Sequence, residues 1–150
     1  MDLFGRGAAI TLLLVAASTA EAQQARPDES LKLRQGLMQA ARSQLAPLLA
    51  FAQGKADMPA DANERATNLW ALARLAPIGW ATGTEALPHA NTRPEAFGAR
   101  HAEFQKGWTN LIATTARLSM AIGAGPDATR AYAVAVAKSC KSCHDEFRTE

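Results

Sequence analysis

Residues 97–122, FGARHAEFQKGWTNLIATTARLSMAI, carry the most regular pattern in the chain. Phe97, His101, Phe104, Trp108, Leu111, Thr115, Leu118 and Ile122 recur at alternating steps of four and three. That spacing lines one side of an α-helix and is the stripe of a helix packed in a bundle. Thr92-Arg93-Pro94-Glu95 supplies a start signal ahead of it, and Gly123 and Gly125 supply a stop. Downstream, Pro126 suits a first helical position, and Ala133, Val136, Cys140, Cys143 and Phe147 form the stripe of a last helix whose cysteines face inward.

Upstream, Gly79 to Asn91 is rich in Gly, Thr, Pro and Asn, has no period and reads as a loop. Before it, Asp61-Ala62-Asn63-Glu64 has the spacing of a capping box. Ala62, Ala66, Leu69, Ala73 and Ala76 then mark a helix ending at Pro77 or Gly79, with Arg65 and Arg74 on its opposite face. The first helix is expected from about Asp28 to Gln53, on the apolar positions Leu31, Leu37, Met38, Ala41, Leu45, Leu48 and Ala52. Pro47 lies inside it, so a kink or a break is expected between Ser43 and Pro47. Nothing alternates with a period of two, and a sheet has no support. The expected fold is all-α: one domain, an antiparallel up-down-up-down four-helix bundle.

The 150 residues are 48% hydrophobic and 20% charged, which excludes disorder and fibrous repeats. Basic residues number 16 against 14 acidic and are scattered, so there is no footprint for nucleic acid. Residues 1–22 read as a cleaved export signal: Arg6, the apolar run Ala8 to Ala17, then Ala20-Glu21-Ala22 as a small-x-small cleavage site. The run is short of the roughly 20 residues a membrane span needs, so no span is expected in the mature chain, residues 23–150.

Both cysteines sit in Cys140-Lys141-Ser142-Cys143-His144. C-x-x-C-H is the attachment signature of c-type haem. On a helix the two thiols share a face, placed to add to the two vinyl groups along one haem edge, while His144 projects toward the iron. A thioredoxin-like site needs a βαβ context, and a structural zinc site needs four ligands where only two thiols exist. The expected cofactor is therefore one haem c per chain, bound through Cys140 and Cys143 with His144 on the iron. The motif lies near the end of the chain, so any second axial ligand is expected from upstream.

The chain resembles the cytochrome c′ family, the class II c-type cytochromes. The resemblance rests on Leu33-Arg34-Gln35, Gly83-Thr84-Glu85, Arg93-Pro94-Glu95 and, above all, Cys140-Lys141-Ser142-Cys143-His144-Asp145-Glu146-Phe147-Arg148. It implies a homodimer in the bacterial periplasm, a five-coordinate high-spin iron, and electron transfer with redox partner proteins or binding of nitric oxide and carbon monoxide. Residue by residue, it implies that Arg34 and Gln35 contact the haem propionates, as a planar guanidinium suits a carboxylate. Arg148 matches the arginine beside the axial histidine; by itself it also reads as a charge complementing the helix C-terminus. Asn91 stands where the family often has an acidic group near a propionate.

Met38, one turn after Arg34, matches the side chain over the open side of the haem. If its thioether reaches the iron, the site is six-coordinate and low-spin and the protein is purely an electron carrier. If it packs beside the iron it is an apolar lid that admits diatomic gases; this open site is the favoured reading. His101 reads as a core or interface histidine, His89 as an exposed loop residue, and Met58 and Met120 as lying off the site. Trp70, Trp80 and Trp108 read as core or dimer aromatics, with Trp80 placed to touch the haem edge. An enzyme such as a peroxidase would need a distal acid-base residue, and the helix-one stripe offers only Met38 and apolar neighbours. The expectation is a haem protein that is not an enzyme.

Overall fold

The computed structural model describes residues 26–149; the export signal read over residues 1–22 lies outside the described residues. Four helices account for most of the chain: α1 (Pro27–Ala52), α2 (Ala62–Leu75), α3 (His101–Ala124) and α4 (Pro126–Phe147). Each packs on its neighbours in order, and α4 closes back on α1, so the helices form a ring around one interior. This is the expected antiparallel four-helix bundle. Gly125 alone separates α3 from α4, at φ 110°, a left-handed value that glycine adopts without steric cost.

Small side chains let the helices close on one another at one level of the bundle. There Ala62, Ala66 and Ala133 pack with Leu48, Leu69, Leu118 and Val136, all buried. At a second level the fill is aromatic: Phe104, Trp108 and Phe147 with Ala76 and Ala96, flanked by Met38, Trp80 and Cys143. Phe104 meets Phe147 edge-on with centroids 5.3 Å apart, and Trp80 stacks at a tilt on Trp108 at 4.8 Å.

Three local expectations are corrected. Of the kink or break expected near Pro47, the break is not formed: helix α1 runs on through Pro47, and the Ser43 carbonyl that the proline cannot satisfy accepts a hydrogen bond from Arg65 Nη1 at 3.2 Å. Asp61 makes no cap to the backbone of α2; its carboxylate takes the Arg65 Nε at 2.7 Å, so the capping box is not formed. The start signal at Thr92 to Glu95 opens a 3₁₀ turn, Pro94–Ala96, and α3 proper begins only at His101. The intervening backbone turns on itself, with the Arg100 N–H donating to the Glu95 carbonyl at 2.9 Å.

Helix α2 ends at Leu75 and tightens into the 3₁₀ turn Ala76–Gly79, which lies against α1. A Cβ at Gly79 would come within 2.8 Å of the Arg34 Cβ, so only glycine allows this approach. The α2 to α3 connection also carries the 3₁₀ turn Thr84–Ala86 inside the segment expected to be irregular. Among the described residues no helix is long and apolar enough to cross a membrane.

Candidate cofactor site

Cys140, Cys143 and His144 lie in the last two turns of α4, where a three-residue step keeps both thiols on one face. That face borders a cavity of about 320 Å³ inside the bundle. The walls come from all four helices: Met38 and Leu45 of α1, Leu69 and Leu72 of α2, Trp108 and Leu111 of α3, and the two cysteines and His144 of α4. Burial is the first cause that raises the pKa of both thiols, reaching about 11 for Cys143, where Cys140 and Glu146 add to it. The thiols are thus held neutral, the form least prone to oxidation. His144 is shifted the other way: desolvation against the cavity and then the Arg148 guanidinium lower its pKa, which favours the neutral imidazole a metal requires.

A second space of about 430 Å³ adjoins the first and shares Met38, Arg42, Trp80, Cys143 and His144 with it. Its walls are mixed, with Arg34, Gln35, Gln39, His89, Asn91, Thr92 and Arg148 set beside Phe104 and Phe147. Among the described residues no aspartate or glutamate lines either space. An apolar chamber opening into an arginine-lined mouth suits a flat apolar ring system carrying anionic groups at one edge. The residues present therefore fit a haem: paired neutral thiols, an imidazole, an apolar chamber and cations where carboxylates would emerge.

Arg34 is 3% exposed. Its guanidinium donates to the Ala90 carbonyl at 2.8 Å and to Thr84 Oγ1 at 3.3 Å, and lies 5.1 Å above the Trp80 ring. Burial lowers its pKa, and the nearby Glu85 charge opposes that shift. The Ala90 carbonyl is turned inward by its neighbours, His89 and Asn91, both left-handed at φ 62° and 49°. Such conformations cost about 1 kcal/mol or more each and persist where surrounding contacts hold them. Here a buried charge-assisted bond does so. Gln35 donates to the His89 carbonyl at 3.3 Å, so both polar residues of the Arg34-Gln35 pair also hold the 84–90 loop against α1.

The remaining candidates separate clearly. Met38 borders both spaces and packs in the aromatic cluster. Arg148 lines the mouth, with its own N–H capping the His144 carbonyl at 3.1 Å. Glu85 turns its carboxylate back on the Gly83 N–H at 2.8 Å. His89 and Asn91 are exposed at the mouth, as expected of the loop. His101 lies outside both spaces; it is exposed at the start of α3, with Nδ1 2.9 Å from the Ala96 carbonyl, and so is not a core residue. Met58 packs in the alanine-rich level and Met120 is exposed on the surface. Trp70 sits under Arg74, while Trp80 and Trp108 both wall the apolar chamber.

Sequence reasoning missed three contributors. Thr84 is fully buried beneath Arg34, Arg42 borders both spaces, and the 91–93 segment grips the end of α4. The position of Arg42, one turn past Met38, was the signal available for the second.

A family model described as Cytochrome C′ matches residues 29–148. The cytochrome c′ of Halomonas halodenitrificans is 33% identical over 141 residues, covering 84% of this chain and all (100%) of that protein. The cytochrome c′ of Alcaligenes xylosoxydans is 30% identical, covering 84% of this chain and 98% of that one. Among solved structures, cytochrome c′ from Rhodobacter spheriodes superposes with a TM-score of 0.76 at 27% identity, over 84% of this chain and 99% of that one. Two variants of the Alcaligenes xylosoxidans protein, one with carbon monoxide bound and one ferrous with nitric oxide bound, superpose with TM-scores of 0.75 at 26% identity, each over 84% of this chain and 98% of that one.

Proposed function

Because the chain belongs to the cytochrome c′ family and carries haem c, we propose that it is a periplasmic, non-enzymatic haem protein with a His-only, five-coordinate high-spin iron, working in electron transfer or in binding nitric oxide and carbon monoxide. The observation that carries this reading is the chamber bounded by Cys140, Cys143 and His144 on α4 and by Met38 on α1. Haem held there supplies an iron that cycles between ferrous and ferric and that binds diatomic gases.

The chain's own residues divide the remaining work. Cys140 and Cys143 fix the ring covalently, and His144 supplies the one protein ligand. Arg148, next to His144, withdraws negative character from its imidazole and weakens the bond that a stronger donor would make. Met38, Leu45 and Leu49 exclude water from the chamber, which disfavours polar ligands and leaves neutral diatomics favoured. The polar mouth, with Arg34, Gln35 and Arg148, receives the propionates. Relatives that bind nitric oxide and carbon monoxide support the gas-binding half of this reading.

The low-spin alternative, with Met38 as sixth ligand and a pure electron carrier, is separated by one measurement. Absorption spectra of the oxidised and reduced protein, then with carbon monoxide, are expected to be high-spin and to shift on gas addition. A low-spin resting spectrum with no response to carbon monoxide would reject the open site.

A further inference from the structure

Among the described residues the hydrogen-bonded guanidinium groups are those of Arg34, Arg65, Arg93, Arg100 and Arg130. Arg42 is not among them, and among the described residues it enters no ion pair. Its place is nonetheless singular: one turn beyond Met38, it borders both the apolar chamber and the polar mouth. Among the described residues no carboxylate lines either space, and α1 has no acidic residue after Glu29, so neither those walls nor the helix itself offers Arg42 a partner. Arg34, the other α1 cation at the mouth, is bonded to two neutral acceptors and has the Glu85 charge nearby.

Arg42 is exposed to solvent at the rim of the apolar chamber, where its planar forked donor matches the geometry of a planar oxyanion. We propose that Arg42 binds a carboxylate-type oxyanion at the rim where the two spaces meet. Two sources carry that chemistry: a propionate of the haem, or a small free oxyanion such as formate taken from solution. The inference rests on haem filling the apolar chamber. It adds a binding residue on the Met38 side that the Arg34-Gln35 pair does not account for.

The test uses the haem-loaded protein, its covalent haem first verified from the alkaline pyridine spectrum, as wild type, Arg42→Gln and Arg42→Lys. Reduction potentials are read during a formate titration at constant ionic strength, and carboxylate bands in the ferrous-minus-ferric infrared difference spectrum. If the oxyanion is free, formate lowers the wild-type potential saturably, Arg42→Gln weakens the half-saturation about ten-fold and Arg42→Lys less. If it is a propionate, formate has no saturable effect, and the carboxylate bands shift in Arg42→Gln but far less in Arg42→Lys. Haem present, no saturable formate effect and unchanged bands in Arg42→Gln would overturn this inference alone. Protein without thioether-bound haem would overturn the functional reading with it.

Discussion

Arg65 donates from Nη1 to the carbonyl of Ser43 across the α1–α2 contact, at 3.2 Å, and this is the carbonyl that Pro47 leaves without its helical donor. The same guanidinium is held from behind by Asp61, at 2.7 Å from Nε. A helix interior proline otherwise costs roughly 3 kcal/mol, in part through the lost bond. Here a side chain from the next helix replaces that bond, and α1 stays continuous along the wall that carries Arg34, Met38 and Arg42.

Arg65→Met is expected to destabilise the protein by about 1 kcal/mol, the net worth of one hydrogen bond. In a Pro47→Ala background, where the backbone regains an N–H at that position to serve the Ser43 carbonyl, the same change should cost measurably less. Denaturant unfolding of the four proteins of this cycle checks the coupling, and equal costs in the two backgrounds would count against it.

Asp61 responds to acid with a defined sign. Its hydrogen bond to Arg65 holds the carboxyl below its ordinary pKa of 3.8. A depressed carboxylate contributes stability above the ordinary value, and that contribution is lost as the pH falls through the folded value. The melting temperature of Asp61→Asn should therefore lie below wild type at neutral pH and converge on it in strong acid.

His144→Ala should retain thioether attachment at Cys140 and Cys143 but lose the wild-type reduced spectrum. An unchanged reduced spectrum would show that another residue holds the iron.

Met38→Ala discriminates the two iron states. With an open site the spectrum stays high-spin and carbon monoxide binds about ten-fold to a hundred-fold more tightly, since relief of a crowded methylene or two is worth roughly 1 to 3 kcal/mol. With a ligated site the resting spectrum would change from low-spin to high-spin.

A second copy of the chain is the expected cover for the apolar side chains left on α1, α2 and the turn after it. Leu33, Leu75 and Ile78 are 42%, 51% and 60% exposed. Sedimentation should give a dimer at micromolar concentration, and the paired change Leu75→Glu with Ile78→Glu should give a folded monomer. A monomeric wild type would remove the premise.

Much of this molecule was legible in the order of its residues. The stripe from Phe104 to Leu118 is a local property, because a helical period places those side chains on one side before any partner is chosen. The thiols of Cys140 and Cys143 reach one face for the same reason, and the imidazole follows one residue later. What failed were local rules that a distant group outcompetes. Asp61 reads as a cap until Arg65 competes for its carboxylate, and Pro47 reads as a break until the same arginine takes over the freed carbonyl.

The segment before α3 shows the same limit. Its start signal is real, yet the Arg93 N–H donates to the Phe147 carbonyl at 2.8 Å and the Thr149 N–H to the Asn91 carbonyl at 3.3 Å, contacts with the far end of the chain. The helix period, the bundle class and the haem signature follow from spacing along the chain, where backbone geometry alone sets which side chains share a face. The buried Arg34 under its loop, the arginine-lined mouth and the unpaired Arg42 follow from segments that meet only after folding, because burial and charge compensation depend on which groups arrive from elsewhere.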